Sequence, residues 1–249
     1  MSIYSGVFGF CYTRKMRITV CSWNILNDGY VPKHAPQSER LKIIIEEIVK
    51  VHESHPDMTL FLCEVVDPKH FDLIAQATGL VVAGKPIYYR GGQKEYCGFL
   101  ISESLKSKVT QHQIVIYDGN HNSIMLLQVD GKKIAGTHLP VKVLRDWSAR
   151  KNHILSMLKE EPDIFSGDFN ATPIFPLRKK ILRSGYKEAH KLARPPFPYP
   201  AYRGKNLHWW LPTISIDAIF HKPTVTVHST GHSLNPGSDH PLIWAECEL

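Results

Sequence analysis

The feature that most restricts this chain is the way its short apolar segments end. Val20-Cys21-Ser22-Trp23 runs into Asn24, Leu60-Phe61-Leu62-Cys63 into Glu64, and Ile134-Ala135-Gly136-Thr137 into His138. Ile164-Phe165-Ser166-Gly167 runs into Asp168, with Asn170 two residues on. Asp217 interrupts Ile214–Phe220, and Asp239-His240 stands directly before Pro241-Leu242-Ile243-Trp244. A buried carboxylate without a partner is costly, so each of these groups demands strong neighbours. A fold that brings the six interruptions to one rim satisfies them together. The resulting cluster of acids, amides and imidazoles is rich in oxygen and suits a hard divalent cation such as magnesium, which keeps several waters and takes few carboxylates.

Between these points helical and strand patterns alternate. Ile18–Trp23 reads as a buried strand, followed by a helix capped by Ser38, with Leu41, Ile44, Ile45 and Ile48 on one face and a stop at Pro56. Thr59–Cys63 is the next strand. Asp67-Pro68 opens a helix that turns Phe71, Ile74 and Ala75 inward and ends at Gly79. From Leu80 to His138 the pattern is of strands: Leu80–Ala83, Tyr96–Ile101, Ile114–Tyr117, Ser123–Val129 and Lys132–His138, the last two joined by an Asp130-Gly131 hairpin turn. A helix near Leu144–Lys159 carries Trp147, Ile154, Leu155 and Leu158 at helical spacing, and a basic helix lies near Leu177–Ser184. Ile164–Ser166, Ile214–Phe220, Thr224–Thr230 and Leu242–Glu248 complete the strands. Hairpins on both sides of the helices imply two sheets packed face to face with helices outside.

At 249 residues, with no internal repeat and no Ser/Gly linker, the chain is read as a lead of residues 1–15 and one catalytic domain over residues 16–249. The lead is either a short strand or disordered. Its charges, Arg14 and Lys15, come at its end, the reverse of a signal peptide's order. No apolar run is long enough for a membrane span. The five cysteines are odd in number and lack any CxxC pair, which speaks against both a disulfide framework and a thiolate zinc site. A cytoplasmic monomer is the expectation. His52 and His55 share a helix face but lack further ligands, so they are read as capping groups. A net charge of +7 favours a polyanionic partner.

The motifs Ser22-Trp23-Asn24-Ile25-Leu26, Leu62-Cys63-Glu64-Val65, Gly136-Thr137-His138-Leu139, Ser166-Gly167-Asp168-Phe169-Asn170, Ile216-Asp217-Ala218 and Gly237-Ser238-Asp239-His240-Pro241 occur in series. In kind and order they resemble the endonuclease/exonuclease/phosphatase superfamily; within it, Ser22-Trp23-Asn24-Ile25-Leu26 followed by Arg40-Leu41 and Ile45-Glu46-Glu47-Ile48 is most similar to the deadenylase-like exonuclease branch. The resemblance implies an α/β fold, a four-layer α-β-β-α sandwich of two mixed, largely antiparallel sheets with helices outside. It implies a Mg2+-dependent phosphodiesterase, with Mn2+ as a possible substitute. Glu64 is then the principal metal carboxylate, with Asn24 and Asp239 beside it. Asp168 orients or deprotonates the attacking water, and Asn170 holds that water or a phosphate oxygen. His240, oriented by Asp217, stabilises developing charge, and His138 donates to a non-bridging oxygen. Two positions depart from the family pattern: Cys63 stands where glutamine usually precedes the glutamate, and His153 where glutamine usually follows Arg150.

The substrate expected first is DNA or RNA. Arg178, Lys179, Lys180, Arg183, Lys187, Lys191 and Arg194 crowd one segment, which tracks a phosphate backbone or is simply a solvated face. The Pro- and aromatic-rich stretch Arg194–Pro212 mixes Tyr199, Tyr202, Trp209 and Trp210 with Arg203 and Lys205, a pattern for base stacking or for a core plug. Arg90, Arg150, Arg178, Lys179 and Arg203 are the expected substrate contacts. Two other readings stand: the same chemistry on a phosphoinositide, sphingomyelin or small phosphomonoester, and a non-catalytic scaffold on the same fold.

Overall fold

The computed structural model describes residues 15–28, 35–90, 94–116, 123–139, 147–171, 175–191, 216–233 and 237–249. Two six-stranded sheets make its centre. The first has the order β11 (Thr226–Ser233), β12 (Leu242–Glu248), β1 (Arg17–Asn24), β2 (Met58–Val65), β4 (Lys94–Ser102), β3 (Leu80–Arg90). The second runs β5 (Val109–Ile116), β6 (Ser123–Val129), β7 (Lys132–His138), β8 (Ile164–Asp168), β10 (Asp217–His221), β9 (Lys187–Glu188). Each sheet is mixed: β1 pairs parallel with β2 and β7 with β8, while the neighbouring pairs are antiparallel.

The central strands are apolar on both faces because both faces are covered. Ile18 and Val20 of β1 pack with Phe61 and Cys63 of β2 and with Met125, Leu127, Ile134 and Ile164 of the other sheet. The alternate residues, Cys21, Trp23, Leu60 and Leu62, face outward onto Leu41, Ile44 and Ile48 of α1 (Gln37–Ser54) and Phe71 and Ile74 of α2 (Lys69–Thr78). On the opposite side Phe165, Phe220 and Ala135 meet Ile154 and Met157 of α4 (Trp147–Lys159) and Leu177 and Ile181 of α5 (Pro176–Arg183). The layers are therefore helix, sheet, sheet, helix; a four-residue α3 (Glu103–Lys106) follows β4. No helix among the described residues is long and apolar enough to cross a membrane. Four cysteines, Cys21, Cys63, Cys97 and Cys247, are free and buried.

Several local expectations change. Ser38 lies inside the first turn of α1; Pro36 takes the cap position, and the Gln37 N–H is capped from a distance by Asp28 Oδ1 at 2.6 Å. The buried face of α4 is Arg150, His153, Ile154 and Met157, whereas Trp147 and Leu155 are exposed. Asp217 begins β10 instead of interrupting it. The capping expectation holds for His55, which is the C-cap of α1 with its N–H bonded to the Val51 carbonyl at 3.0 Å and its ring packed on Trp244 at 4.3 Å between centroids, while the His52 ring bonds the Thr78 carbonyl and the Ser102 hydroxyl. The lead to residue 14 and the Arg194–Pro212 stretch lie outside the described residues.

Candidate active site

Strand direction explains why the polar interruptions converge. The parallel pairs β1–β2 and β7–β8 end on one rim, carrying Asn24, Glu64, His138 and Asp168. β10 runs antiparallel to β8, so its first residue pairs directly with Asp168. β12 runs antiparallel to β1, which brings the Asp239-His240 segment before it to the same edge. Two hydrogen bonds fix that segment: Trp23 Nε1 donates to the His240 carbonyl at 2.9 Å, and Ser238 Oγ donates to the Asn24 carbonyl at 2.6 Å. Close approach of β7 and β8 requires Gly167, with φ +151°, because a Cβ there would collide with the Thr137 carbonyl.

Asp168 is the hub. Its Oδ1 accepts the Asn170 N–H at 2.7 Å, and its Oδ2 accepts the Asn24 amide at 3.0 Å. The same Oδ2 lies 3.7 Å from His138 Nε2 and 3.8 Å from His240 Nε2. Each imidazole is backed by a carboxylate on Nδ1: Asp217 at 2.9 Å for His240, and Glu95 at 3.5 Å for His138. Glu64 accepts the Asn24 amide at 2.7 Å and the Asn27 N–H at 2.8 Å, and its Oε1 lies 3.6 Å from His138 Nε2. Asn24 thus turns its NH2 toward both carboxylates and its Oδ1 toward the Leu26 N–H at 3.0 Å, an orientation in which it bridges two like charges instead of offering them an oxygen. Asn170, at φ +46°, donates its side-chain amide to the Leu139 carbonyl at 2.7 Å.

Burial and charge act against one another here. Burial disfavours the imidazolium of His240, but Asp217, Asp168 and Asp239 outweigh it and push the group up to about 10. Burial likewise opposes His138, which the sulfurs of Cys63 and Cys97 and the Glu95 carboxylate nevertheless raise well above its ordinary value. Burial raises the Asp217 carboxyl to about 6 against the pull of His240, and raises Glu64 against the pull of His138. Glu64, Glu95 and His138, and separately Asp168, Asp217 and His240, offer ligand atoms that all lie within 4.8 Å of one another. Among the described residues, none donates a hydrogen bond to the buried Oδ1 of Asp239. A concentration of buried carboxylates exceeding their donors fits a hard divalent cation.

Three groups were not signalled by the strand-end pattern. Glu95, fully buried, is the second residue of β4, and the antiparallel β2–β4 register, with Tyr96 opposite Val65, puts it on the rim. Gln37, buried at the start of α1, donates to the Glu64 carbonyl at 3.0 Å and accepts the Val66 N–H at 3.0 Å, clamping Glu64 in its left-handed backbone conformation at φ +59°. Arg40 donates to the carbonyls of Ile25, Leu26 and Gly237, tying the chain after β1 to the turn before Asp239.

The expected substrate contacts fare differently. Arg150 is fully buried and donates to the carbonyls of Phe169 and Asn170 at 2.9 and 2.7 Å, so it braces the chain after Asp168 from below. Arg178 is also fully buried, ion-paired with Glu188. Neither presents a guanidinium to substrate, because each guanidinium satisfies internal acceptors. Lys179 is exposed on α5. The Arg90 side chain and the whole of Arg203 lie outside the described residues.

A sequence profile described as the Endonuclease/Exonuclease/phosphatase family matches residues 21–240. No curated protein sequence matches the chain significantly. Among solved structures the chain is similar to the human Nocturnin catalytic domain with bound sulfate anion, at 20% identity, TM-score 0.68, and 93% of this chain on 94% of that one. It is similar to D. rerio TDP2 complexed with single strand DNA product, at 18% identity and TM-score 0.69, covering 94% and 99%. A mannosyl-6-phosphatase of Bacteroides thetaiotaomicron is similar at 14% identity and TM-score 0.66, covering 92% and 99%. At these identities the structural likeness is one of fold.

Proposed function

The chain belongs to the endonuclease/exonuclease/phosphatase family, and from that premise we propose that it is a magnesium-dependent phosphodiesterase acting on DNA or RNA strands. The observation that carries this reading is the pair of carboxylate-backed imidazoles, His138 and His240, whose Nε2 atoms flank one oxygen of Asp168. Hydrolysis of a phosphodiester needs an oriented water, a proton acceptor for it, and donors around the phosphorus. Asp168, held at both oxygens, orients the water and takes its proton; Asn170 steadies that segment. His240 and His138, kept protonated by Asp217 and Glu95, donate to phosphate oxygens as negative charge grows. Glu64 and Asp239, with Asn24 once its amide is reversed, would hold the cation, which polarises the phosphate and stabilises the leaving oxygen when bound. Mn2+ is expected to substitute. An intracellular location and a monomeric state remain part of the proposal; the free buried thiols support the first.

The experiment is an end-labelled panel of single- and double-stranded DNA, RNA, a phospholipid vesicle and a sugar phosphate. Nucleic-acid strands are expected to be cut, EDTA to stop the reaction, and Mg2+ or Mn2+ to restore it. Glu64→Gln and Asp168→Asn are expected to lower kcat by about 10²- to 10³-fold or more without loss of fold. Unchanged turnover in either variant rejects the site. Release of phosphate from the sugar phosphate alone would favour the phosphomonoester reading, to which the fold shared with a mannosyl-6-phosphatase lends support.

A further inference from the structure

We propose that Trp147 and Phe175 form an aromatic step beside the catalytic chain segment that stacks a nucleobase of the strand being cleaved. The proposal deepens the phosphodiesterase reading and rests on it. Because β7 and β8 are parallel, the helix joining them runs back in the opposite sense, so α4 begins on the rim where His138 and Asp168 end their strands. α5 follows β8 and begins on that rim as well. Their leading residues meet there: the Trp147 and Phe175 ring centroids are 6.1 Å apart, tilted by 58°.

Three observations give this pair a binding role. Trp147 is 37% exposed although it is the largest apolar side-chain type, and the buried face of its own helix is made by other residues. Its partner is fixed relative to the chemistry, since the Arg150 guanidinium lies 5.6 Å from the Phe175 centroid and its Nη2 donates to the Asn170 carbonyl at 2.7 Å. A rigidly held ring loses little entropy on stacking. The third observation is charge. Lys151 and Lys179 stand four residues after Trp147 and Phe175, both exposed, each one helical turn beyond its aromatic. A π-face next to a cation, repeated on two packed helices, matches a single strand that alternates base and phosphate. An apolar protein partner would leave both lysines without a counterpart.

The test is a binding cycle in the full chain carrying Glu64→Gln, so that substrate survives. Fluorescence anisotropy is read on labelled single-stranded oligonucleotides, each with one abasic position. With Trp147 present, one abasic position is expected to weaken binding by about 5- to 150-fold. Trp147→Ala should abolish that penalty and Trp147→Phe should keep most of it. If Trp147→Ala melts early, Trp147→Leu preserves contact with Phe175 without the indole face and carries the same comparison. A penalty independent of Trp147 overturns the proposal, as does absence of oligonucleotide binding. A protein that binds with the Trp147-dependent penalty yet cleaves no phosphodiester in its unsubstituted form would sink the hydrolase reading and keep the stacking site. Cleavage without that penalty does the reverse.

Discussion

Arg178 and Lys179 are neighbours in the chain with opposite consequences. Arg178 donates to Glu188 and to the Ala171 carbonyl at 3.1 Å, and its guanidinium lies 5.6 Å from the Phe220 centroid. Burial alone would favour its neutral form, and Glu188 counteracts that. Arg178→Met strands a buried carboxylate and is expected to lower unfolding free energy by about 3–5 kcal/mol. Lys179→Ala should alter it by less than about 0.5 kcal/mol, both values read from urea melts. Sequence composition counted the two alike, because a run of basic residues does not say which of them points inward. Glu95 was hidden for a related reason. It follows Gly91-Gly92-Gln93-Lys94, where a polar residue reads as part of a turn, and only pairing of β4 with β2 reveals it behind His138. Glu95→Gln removes the charge on His138 Nδ1 and should lower kcat by about 10- to 100-fold with little change in KM, measured by steady-state kinetics on a cleavable oligonucleotide. A kcat that this substitution leaves unchanged at every pH would make Glu95 a packing residue only.

Among the elements, the strands were legible because an apolar run closed by a polar terminus fits little besides a strand in a covered sheet. Helix α4 was not. Its inward face carries Arg150 and His153 as well as Ile154 and Met157, so a search for apolar spacing selects Leu155, which the structure leaves 40% exposed. The polar groups serve the two strands they lie on: Arg150 holds the carbonyls after Asp168, and His153 bonds the Thr137 hydroxyl next to His138. This arrangement has a pH consequence. Burial, reinforced by His138 and Arg150, pushes His153 down to about 3 from its ordinary 6.5. Below pH 6.5 the unfolded chain therefore binds a proton that the folded chain refuses, so stability falls as pH falls toward 3. At pH 5 the loss from this one group is about 2 kcal/mol. His153→Gln, which keeps an amide for Thr137 and cannot titrate, should shrink the stability difference between pH 7 and pH 5 by that amount in urea melts. An unchanged difference would show that His153 is protonated in the folded state.

At the scale of the whole molecule, the chemistry proposed above and the attraction proposed for the substrate fall on different parts of the fold. The rim collects Glu64, Glu95, Asp168, Asp217 and Asp239 around two histidines, an environment that repels a phosphate until a cation is held there. The chain as a whole carries +7, so its excess of lysine and arginine lies off the rim. Lys151 on α4 and Lys179 on α5 are exposed beside it, on the two helices that start at the catalytic edge. On the nucleic-acid reading proposed above, binding by such lysines releases counterions from the strand and weakens with salt, whereas the buried rim is shielded from the ionic medium. The two contributions should then separate in one measurement. KM for a single-stranded oligonucleotide is expected to rise with salt along a straight log–log line, while kcat at saturating substrate stays flat. Each lysine that neutralises a phosphate contributes about 0.7 to the slope on a single strand, so Lys151→Ala with Lys179→Ala should lower it by about 1.4. A slope that both substitutions leave intact would move the strand to another face of the sandwich. A kcat that falls with salt in step with 1/KM would mean that the rim itself, and not the lysines beside it, is the screened element.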